Sequence, residues 1–187
     1  MMATDSPRVC PAKLAGTLDS NLRKIFQDPS KILSPYIKEG MTVLDMGCGP
    51  GFFTVEIAKM VGPSGKVIAA DLQEEMLKIL KKKIQGTELE SRIKLIKADE
   101  DKINVTDKVD FILIFFVAHE VEDKDKLFSQ LRSVLKDDGK FLIVEPKHFH
   151  VSTEAFKLTL KKAKDNGFNV QPGPKHLFSQ SAILTNR

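Results

Sequence analysis

The 187-residue sequence has no tryptophan, one tyrosine and only two cysteines. With so few of the larger aromatic side chains, platforms on which nucleic-acid bases could stack are scarce. The two cysteines, Cys10 and Cys48, are too few for a disulfide framework and do not favour a zinc site. This cysteine usage fits a reducing compartment, so we expect a cytoplasmic location.

Long apolar runs and a strong net charge are missing as well. The longest apolar run, Phe111–Ala118, is too short to cross a bilayer as a helix. The segment Met1–Leu14 has no apolar core, so it does not read as a secretory signal. The net charge is only +4, and most lysines alternate with acidic residues, which is typical of solvated helix faces rather than of a nucleic-acid surface. Length and composition therefore predict one globular domain.

The most informative stretch is VLDMGCGPGFFT, from Val43 to Thr54. Its apolar start predicts a buried parallel strand, its three alternating glycines predict a turn, and the pattern from Phe53 onward predicts a helix. The N–H groups at the start of such a helix can face a ligand. The spacing is Gly-x-Gly-x-Gly, which differs from the Gly-x-Gly-x-x-Gly of dinucleotide-binding loops.

Two acidic residues accompany this loop. Asp45 lies two positions before the first glycine, and Asp71 ends the next apolar run, Lys66–Ala70. In a doubly wound sheet, an acid in the position of Asp71 accepts hydrogen bonds from ribose hydroxyls. Asp45 would repel a pyrophosphate but would suit a ligand with an ammonium group. S-adenosylmethionine has that amine, a ribose and no phosphate, so it is the ligand that the two acids favour.

The stretch VLDMGCGPGFFT, followed by AADLQEEMLKILKKK, resembles the first two motifs of the class I S-adenosylmethionine-dependent methyltransferases. The similarity extends from about Tyr36 to the C-terminus and is greatest to the methyltransferase type 11 or UbiE-like group. It implies a Rossmann-like, doubly wound, mostly parallel α/β sheet of seven strands in an α/β/α sandwich. The last strand would be antiparallel and lie between the fifth and the sixth. Residues 1–35 would form a tail and helical cover segment, and residues 36–187 the methyltransferase domain.

The resemblance also implies which residues bind the cofactor. The three loop glycines would shape the methionine pocket, and Asp45 and a backbone group would orient its amine. Asp71 would bind the ribose, and Asp99 the adenine amino group; an Asp after a strand is otherwise often a turn residue. Gln73 stands where the family usually has serine. The full set of predicted cofactor residues is Asp45, Gly47, Cys48, Gly49, Gly51, Asp71, Leu72, Met76, Asp99, Glu100 and Phe115.

The segment after the fourth apolar run, Val109–Val117, is where methyl acceptors lie in this fold. His119 is the histidine placed to act as a base there, which makes it the candidate catalytic residue. Alternatively, His119 caps the next helix or only lines the pocket. Glu120 and Glu122 could instead hold a cationic substrate. The segment lacks the Asn-Pro-Pro-Tyr-like sequence common in methyltransferases that act on adenine amines or glutamine amides.

The remaining predictions concern secondary structure and metals. Asp28 before Pro29 predicts a helix start that divides two short helices within residues 18–37. His148 and His150 form a His-x-His pair without an obvious third ligand, so we expect no metal site. Further predicted elements are a third strand at Arg92–Ile96, a helix over Lys126–Lys136 ended by Gly139, a fifth strand at Lys140–Pro146, a helix over Thr153–Asn166 ended by Gly167, and strands at Phe168–Val170 and Leu177–Leu184.

Together these features predict a methyltransferase that transfers a methyl group from S-adenosylmethionine to a small-molecule acceptor and leaves S-adenosylhomocysteine. Nucleic acid is the less favoured acceptor. Two alternatives remain at this point. One is a protein that binds S-adenosylmethionine without its own catalysis. The other is a nicotinamide-dependent oxidoreductase, which shares the strand-loop-helix and Asp71 but requires the other glycine spacing.

Overall fold

The computed structural model of the chain describes residues 27–147, 151–174 and 178–187. The helices in these residues are α1 (Pro29–Leu33), α2 (Thr54–Met60), α3 (Glu74–Ile84), α4 (Lys124–Val134) and α5 (Thr153–Asp165). The strands are β1 (Thr42–Met46), β2 (Lys66–Asp71), β3 (Ile93–Lys97), β4 (Val109–Phe115), β5 (Leu135–Pro146), β6 (Phe168–Pro172) and β7 (Ser179–Asn186).

The strands form one sheet in the order β3-β2-β1-β4-β5-β7-β6. Strands β1 to β5 pair in parallel, and β7 lies antiparallel between β5 and β6. This confirms the predicted fold class, including the position of the last strand. The chain moves outward from β1 to β2 and β3, then crosses back to place β4 on the other side of β1. Ligands bind in the crevice beyond the strand ends at such a switch point.

Both faces of the sheet are buried. Along β4, Phe111 and Leu113 join the hydrophobic cluster that contains residues of α1, α2 and α3. Ile112 and Ile114 join the cluster on the other face, which contains residues of α4 and α5. Because a strand between two helical layers has no solvated side, β4 is apolar at every position except Asp110 and does not alternate.

Helix α1 begins where the Asp28–Pro29 pair predicts. The Asp28 carboxylate accepts hydrogen bonds from the backbone N–H groups of Ser30, at 3.0 Å, and Lys31, at 3.5 Å. These bonds satisfy N–H groups that have no partner within the helix. The preceding helix, predicted from residue 18 onward, falls largely outside the described residues.

The predicted helix Lys126–Lys136 with its stop at Gly139 is wrong at both ends. Helix α4 starts two residues earlier, because the side chain of Asp123 caps its first turn. It ends at Val134, because Leu135 already pairs with β4, and the pairing then continues after a register shift. Gly139 therefore lies inside β5 and ends no helix.

Some predictions fall on parts of the chain outside the described ranges, namely those on Cys10, His148, His150 and Leu177. In the part of the chain that the structure does describe, no helix is both long and apolar enough to cross a membrane. Within that same part, no three His, Cys, Asp or Glu side chains gather as they would around a metal ion.

Candidate functional site

A cavity of about 770 Å³ lies at the switch point, beyond the carboxyl ends of β1 to β4. Its lining contains most of the residues predicted to bind the cofactor. These are Asp45, Gly47, Cys48, Gly49, Asp71, Leu72, Met76, Asp99, Glu100 and Phe115. Two predicted site residues, Gly51 and His119, are not among the described residues that line it. The contact of each of the twelve residues with a ligand stays a prediction.

The acid at the end of β1 is fixed by the helix that follows it. Asp45 is 3% exposed, and its Oδ2 accepts a hydrogen bond of 2.6 Å from the hydroxyl of fully buried Thr54. Thr54 is the first residue of α2. A hydrogen bond to an ionised acceptor is stronger than one between neutral groups. The bond therefore joins the strand end, the loop and the helix start, and the sequence reasoning gave Thr54 no role.

The acid at the end of β2 holds the glycine loop. The Oδ2 atom of Asp71 accepts a hydrogen bond from the Gly49 N–H at 2.8 Å, and its Oδ1 accepts one from the Gln73 N–H, also at 2.8 Å. Burial raises the pKa of Asp71, while these two N–H groups and the charge of Lys97 act in the opposite direction. Asp71 thus shapes the loop in addition to its predicted role toward a ribose.

The loop glycines have different steric surroundings. A Cβ atom on Gly47 would lie 2.4 Å from a methyl carbon of Val117, and one on Gly51 would lie 2.4 Å from a methyl carbon of Leu80. Packing therefore requires glycine at both positions. At Gly49, where φ is +53°, a Cβ atom would meet nothing within 4 Å. Gly49 is the loop position that leaves space for a ligand against the backbone.

Cys48 also lines the cavity, and its thiol is unreactive. Burial raises its pKa well above the usual value, and the negative charges of Asp45 and Asp71 raise it further. Because the thiolate is the nucleophilic form of cysteine, a neutral Cys48 supplies packing rather than reactivity.

Asp99 and Glu100 follow β3 at the far end of the cavity. The Asp99 carboxylate accepts a hydrogen bond of 2.9 Å from the side-chain amide of Asn104, and its backbone N–H donates to the Lys102 carbonyl at 2.8 Å. Asp99 is therefore a turn residue that also borders the cavity. The turn interpretation is thus confirmed, and the role of Asp99 toward an adenine stays a prediction.

Four phenylalanines form a continuous strip on the cavity lining, which we call the aromatic wall: Phe52, Phe53, Phe115 and Phe116. Successive ring centroids are 5.2, 4.3 and 4.5 Å apart. Phe116 has φ of +62°, and its N–H donates to the Val144 carbonyl at 2.8 Å. Such a backbone conformation costs about 1–3 kcal/mol in a non-glycine residue and is found mostly at functional sites.

The charged residues of the lining are predominantly acidic, although the whole chain has a net charge of +4. Besides the two acids at the ends of β1 and β2, the acidic lining residues are Asp99, Glu100, Asp101, Glu120, Glu122 and Asp123. The lysines among the described lining residues are Lys102 and Lys126. Lys126 is paired with Asp101 at 2.8 Å. The cavity therefore carries a negative potential that disfavours anionic ligands.

His119 lies beside the cavity, in contact with a residue of β5. Its Nδ1 is 2.5 Å from Oε2 of Glu145, which is only 1% exposed, and Oε1 of Glu145 accepts a hydrogen bond of 2.8 Å from the Ala118 N–H. The sequence reasoning assigned no function to Glu145. The signal was available, because Glu145 is an acid at the carboxyl end of a strand, as Asp45 and Asp71 are.

These features fit S-adenosylmethionine. Two buried carboxylates face a cavity large enough for a nucleoside, and the loop leaves open space at Gly49. Among the described residues of the lining there is no cluster of basic side chains such as a pyrophosphate would need, and the acids there suit a ligand that carries positive charge.

Comparison with known proteins agrees with this geometry. The sequence profile of a methyltransferase domain matches residues 37–183. Demethylmenaquinone methyltransferase of Lactobacillus johnsonii is 40% identical over 110 residues, which are 58% of this chain and 45% of that protein. The ubiquinone/menaquinone biosynthesis C-methyltransferase UbiE of Pasteurella multocida is 33% identical over 110 residues, 58% of this chain and 41% of that protein. The matched stretch thus spans less than half the length of either curated relative.

Solved structures extend the similarity to the whole fold. A crystal structure of an S-adenosylmethionine-dependent methyltransferase from Aquifex aeolicus matches with a TM-score of 0.81 and 32% identity, over 94% of this chain and 99% of that one. An S-adenosylmethionine-dependent O-methyltransferase from Thermotoga maritima has the same fold, with a TM-score of 0.67 and 24% identity over 86% of this chain and 64% of that one. The chain therefore belongs to the class I methyltransferases of the UbiE-like group, whose cofactor is S-adenosylmethionine.

Proposed function

We propose that this chain transfers the methyl group of S-adenosylmethionine to a small, uncharged acceptor with an apolar face. The observation that carries the proposal is a single cavity in which the aromatic wall adjoins the glycine loop and its two acids. The family assignment leaves the nicotinamide-dependent alternative without support. The alternative is a protein that binds the cofactor without catalysis, and an assay of turnover distinguishes the two.

The cofactor would be held by residues of the first four strand ends. We propose that Asp71 accepts hydrogen bonds from the ribose hydroxyls, Asp99 from the adenine amino group, and Asp45 with the Phe115 backbone from the amine. When bound, S-adenosylmethionine supplies a methyl group that its sulfonium makes electrophilic. Because the methyl is already activated, the protein acts mainly by positioning, which can lower a barrier by about 7–11 kcal/mol.

The lining supports a neutral, ring-shaped acceptor. The aromatic wall offers ring faces and edges to pack against a planar apolar molecule. The acidic residues around it would repel phosphate groups, which argues against nucleic acid. The curated relatives from L. johnsonii and P. multocida carry names that refer to menaquinone. They share only part of the chain, so we keep the acceptor class general.

His119 is the proposed proton acceptor for acceptors that lose a proton on methylation. Val117, two positions before His119, and Glu120, the next residue, both line the cavity, and this proximity supports the proposal. A base there could remove a proton from a hydroxyl group of the acceptor.

The experiment is an assay of S-adenosylhomocysteine release with 2-naphthol, with 2-naphthyl phosphate and with a short RNA. The proposal predicts turnover with 2-naphthol and little with the two anionic compounds. Phe116→Ala should lower turnover with 2-naphthol. Phe178→Ala is the matched control, because Phe178 also has positive φ, at +60°, but is 71% exposed outside the cavity. Methylation of RNA, or cofactor binding without any turnover of 2-naphthol, would contradict the proposal.

We make two further proposals, one about the domain organisation and one about the cellular location. We propose that residues 1–35 cover the cofactor side of the methyltransferase domain at 36–187. Support comes from Ile32 and Leu33 of α1, which share a buried cluster with Phe53 of the aromatic wall. We also retain the cytoplasmic location, on the basis of the cysteine usage.

A further inference from the structure

Glu145 is a buried acid that the proposed binding of the cofactor does not use. It is 1% exposed at the end of β5, and a carboxylate buried to that extent destabilises a fold unless its oxygens have partners. Both oxygens are engaged, Oε1 by the Ala118 N–H and Oε2 by Nδ1 of His119. The parallel register that pairs Phe115 with Val144 brings these residues together.

The contact determines where the proton of the imidazole lies. A carboxylate can only accept hydrogen bonds, so Nδ1 of His119 must carry the hydrogen that lies between them. In the neutral ring, the lone pair is then on Nε2. The side chain of His119 remains 28% exposed, so the ring is accessible although its partner is not.

We infer that Glu145 is a positioning residue that holds His119 with its Nε2 lone pair free to take a proton from the methyl acceptor. The inference rests on the proposed function and narrows its substrate class. The acceptor would be a hydroxyl compound such as a phenol. Its O–H proton passes to Nε2, its freed electron pair forms the O–CH₃ bond, and the pair of the broken S–CH₃ bond stays on sulfur. Thioethers and tertiary amines, which have no proton to lose, fall outside this class.

The charges around the ring support a base with a raised pKa. Burial lowers the pKa of His119, but the hydrogen bond and the charge of Glu145 on β5, together with Glu120 on the loop, outweigh burial and the opposing charge of Lys124 on α4. The net pKa lies above the usual value. Lys124 itself has a pKa lowered by burial, and its Nζ donates to the Val121 carbonyl at 2.7 Å.

Glu145→Gln is the variant that tests the inference, because it keeps the shape of the side chain. Its amide oxygen can still accept from the Ala118 N–H, but its NH₂ group would now donate to Nδ1. To accept that hydrogen bond, Nδ1 must carry the lone pair, so the ring hydrogen moves to Nε2. Nε2 can then no longer take a proton from the methyl acceptor. The same change should lower the pKa of His119, because the neighbouring negative charge is gone. Asp165→Asn is the matched control, since Asp165 is an exposed acid paired with Lys161.

The measurement is ¹⁵N NMR of the full chain labelled at histidine, with S-adenosylhomocysteine present, and with His119 assigned by His119→Asn. We expect the Nδ1–H tautomer and a raised pKa in wild type and in Asp165→Asn. Glu145→Gln should give the Nε2–H tautomer and a lower pKa. If that variant does not fold, the wild-type spectrum decides, because an Nε2–H tautomer there overturns the inference. An unchanged tautomer and pKa in folded Glu145→Gln also overturns it.

Turnover of 2-naphthol provides a second readout. Glu145→Gln should lower kcat by roughly 10²–10⁴-fold, the range for loss of general base catalysis, with a smaller change in KM. The acid limb of its pH profile should move to lower pH. A rise in KM alone, with the limb unmoved, would indicate a merely structural residue and contradict the inference. Calorimetric binding of S-adenosylhomocysteine to wild type and to Glu145→Gln separates the two proposals. Absence of binding to wild type would refute the proposed function independently of the tautomer, whereas equal binding to both leaves kcat and the tautomer to decide the role of Glu145.

Discussion

The bond between Thr54 and Asp45 supports a prediction about stability that requires no ligand. Thr54→Val removes the hydroxyl and leaves a side chain of nearly the same shape, so no cavity forms. The Asp45 carboxylate, 3% exposed, then loses its 2.6 Å hydrogen bond while it stays almost completely buried. Loss of a hydrogen bond to a charged group costs about 1.5–3 kcal/mol. For a chain of this size, such a loss corresponds to a fall in Tm of about 3–12 °C.

A matched control is available on α5. Thr159 is 6% exposed, and its hydroxyl donates to the Ala155 carbonyl at 3.2 Å, a neutral acceptor at a longer distance. Thr159→Val should therefore cost only about 0.5–1.5 kcal/mol. The assay is urea unfolding of the ligand-free chain, monitored by its far-ultraviolet circular dichroism signal. If Thr54→Val is no less stable than Thr159→Val, the buried bond does not hold the strand end to the helix, and the reasoning is refuted.

Two further predictions concern pH. Hydrogen bonds from Lys94 and Lys66 lower the pKa of Asp107 to about 2, below its unfolded value, so the stability that it adds above about pH 4 is lost as the pH falls toward about 2. Asp107→Asn should flatten that acid loss in urea midpoints. His119, whose pKa is raised, affects stability in the opposite direction along the pH scale. The stability that it adds is complete below its unfolded pKa and is lost as the pH rises through its folded pKa. His119→Asn should therefore cost more stability at about pH 5.5 than at about pH 8.5, and equal costs would contradict the pairing with Glu145.

The part of the site that could be predicted from sequence is local in the chain. The apolar run, the glycines and the helical pattern of residues 43–60 follow one another directly, so their order alone predicts strand, loop and helix. Asp45 and Asp71 each end a strand, and the carboxyl ends of parallel strands meet at one edge of a sheet. Their convergence on one cavity follows from that rule.

The part that could not be predicted depends on packing between distant segments. Glu145 meets His119 only because β5 pairs with β4 in one particular register. The aromatic wall joins Phe52 and Phe53 of the loop to Phe115 and Phe116, more than 60 residues later, through the neighbouring positions of β1 and β4. Neither the strand register nor the choice of neighbours is encoded in a local pattern.

The predicted end of helix α4 was wrong because strand pairing outweighed the local sequence pattern. Gly139 has the residue type of a helix stop, but the backbone from Leu135 onward bonds to β4 and extends the strand instead. Gly51 differs in another way: it is not among the described residues that line the cavity, and its contact with a ligand stays a prediction. Its missing side chain makes room for Leu80 of α3. In both cases the glycine is needed, but for a neighbour that the sequence does not identify.

The central claim is that S-adenosylmethionine binds against the glycine loop, and calorimetry on one pair of variants tests it most directly. Gly49→Ala and Gly86→Ala both place a Cβ at positive φ, +53° and +74°, where nothing lies within 4 Å. Both therefore carry similar backbone strain, but only Gly49 lines the cavity. Asp71→Ala would not separate a lost ligand contact from a disturbed loop, because Asp71 also accepts a hydrogen bond from the Gly49 N–H.

We expect wild type and Gly86→Ala to bind S-adenosylmethionine and S-adenosylhomocysteine in the micromolar range, about −8 kcal/mol. Gly49→Ala should bind at least about tenfold more weakly, a difference of about 1.4 kcal/mol. Equal affinities in Gly49→Ala and Gly86→Ala, or no heat with folded wild type, would contradict the placement of the cofactor in this cavity.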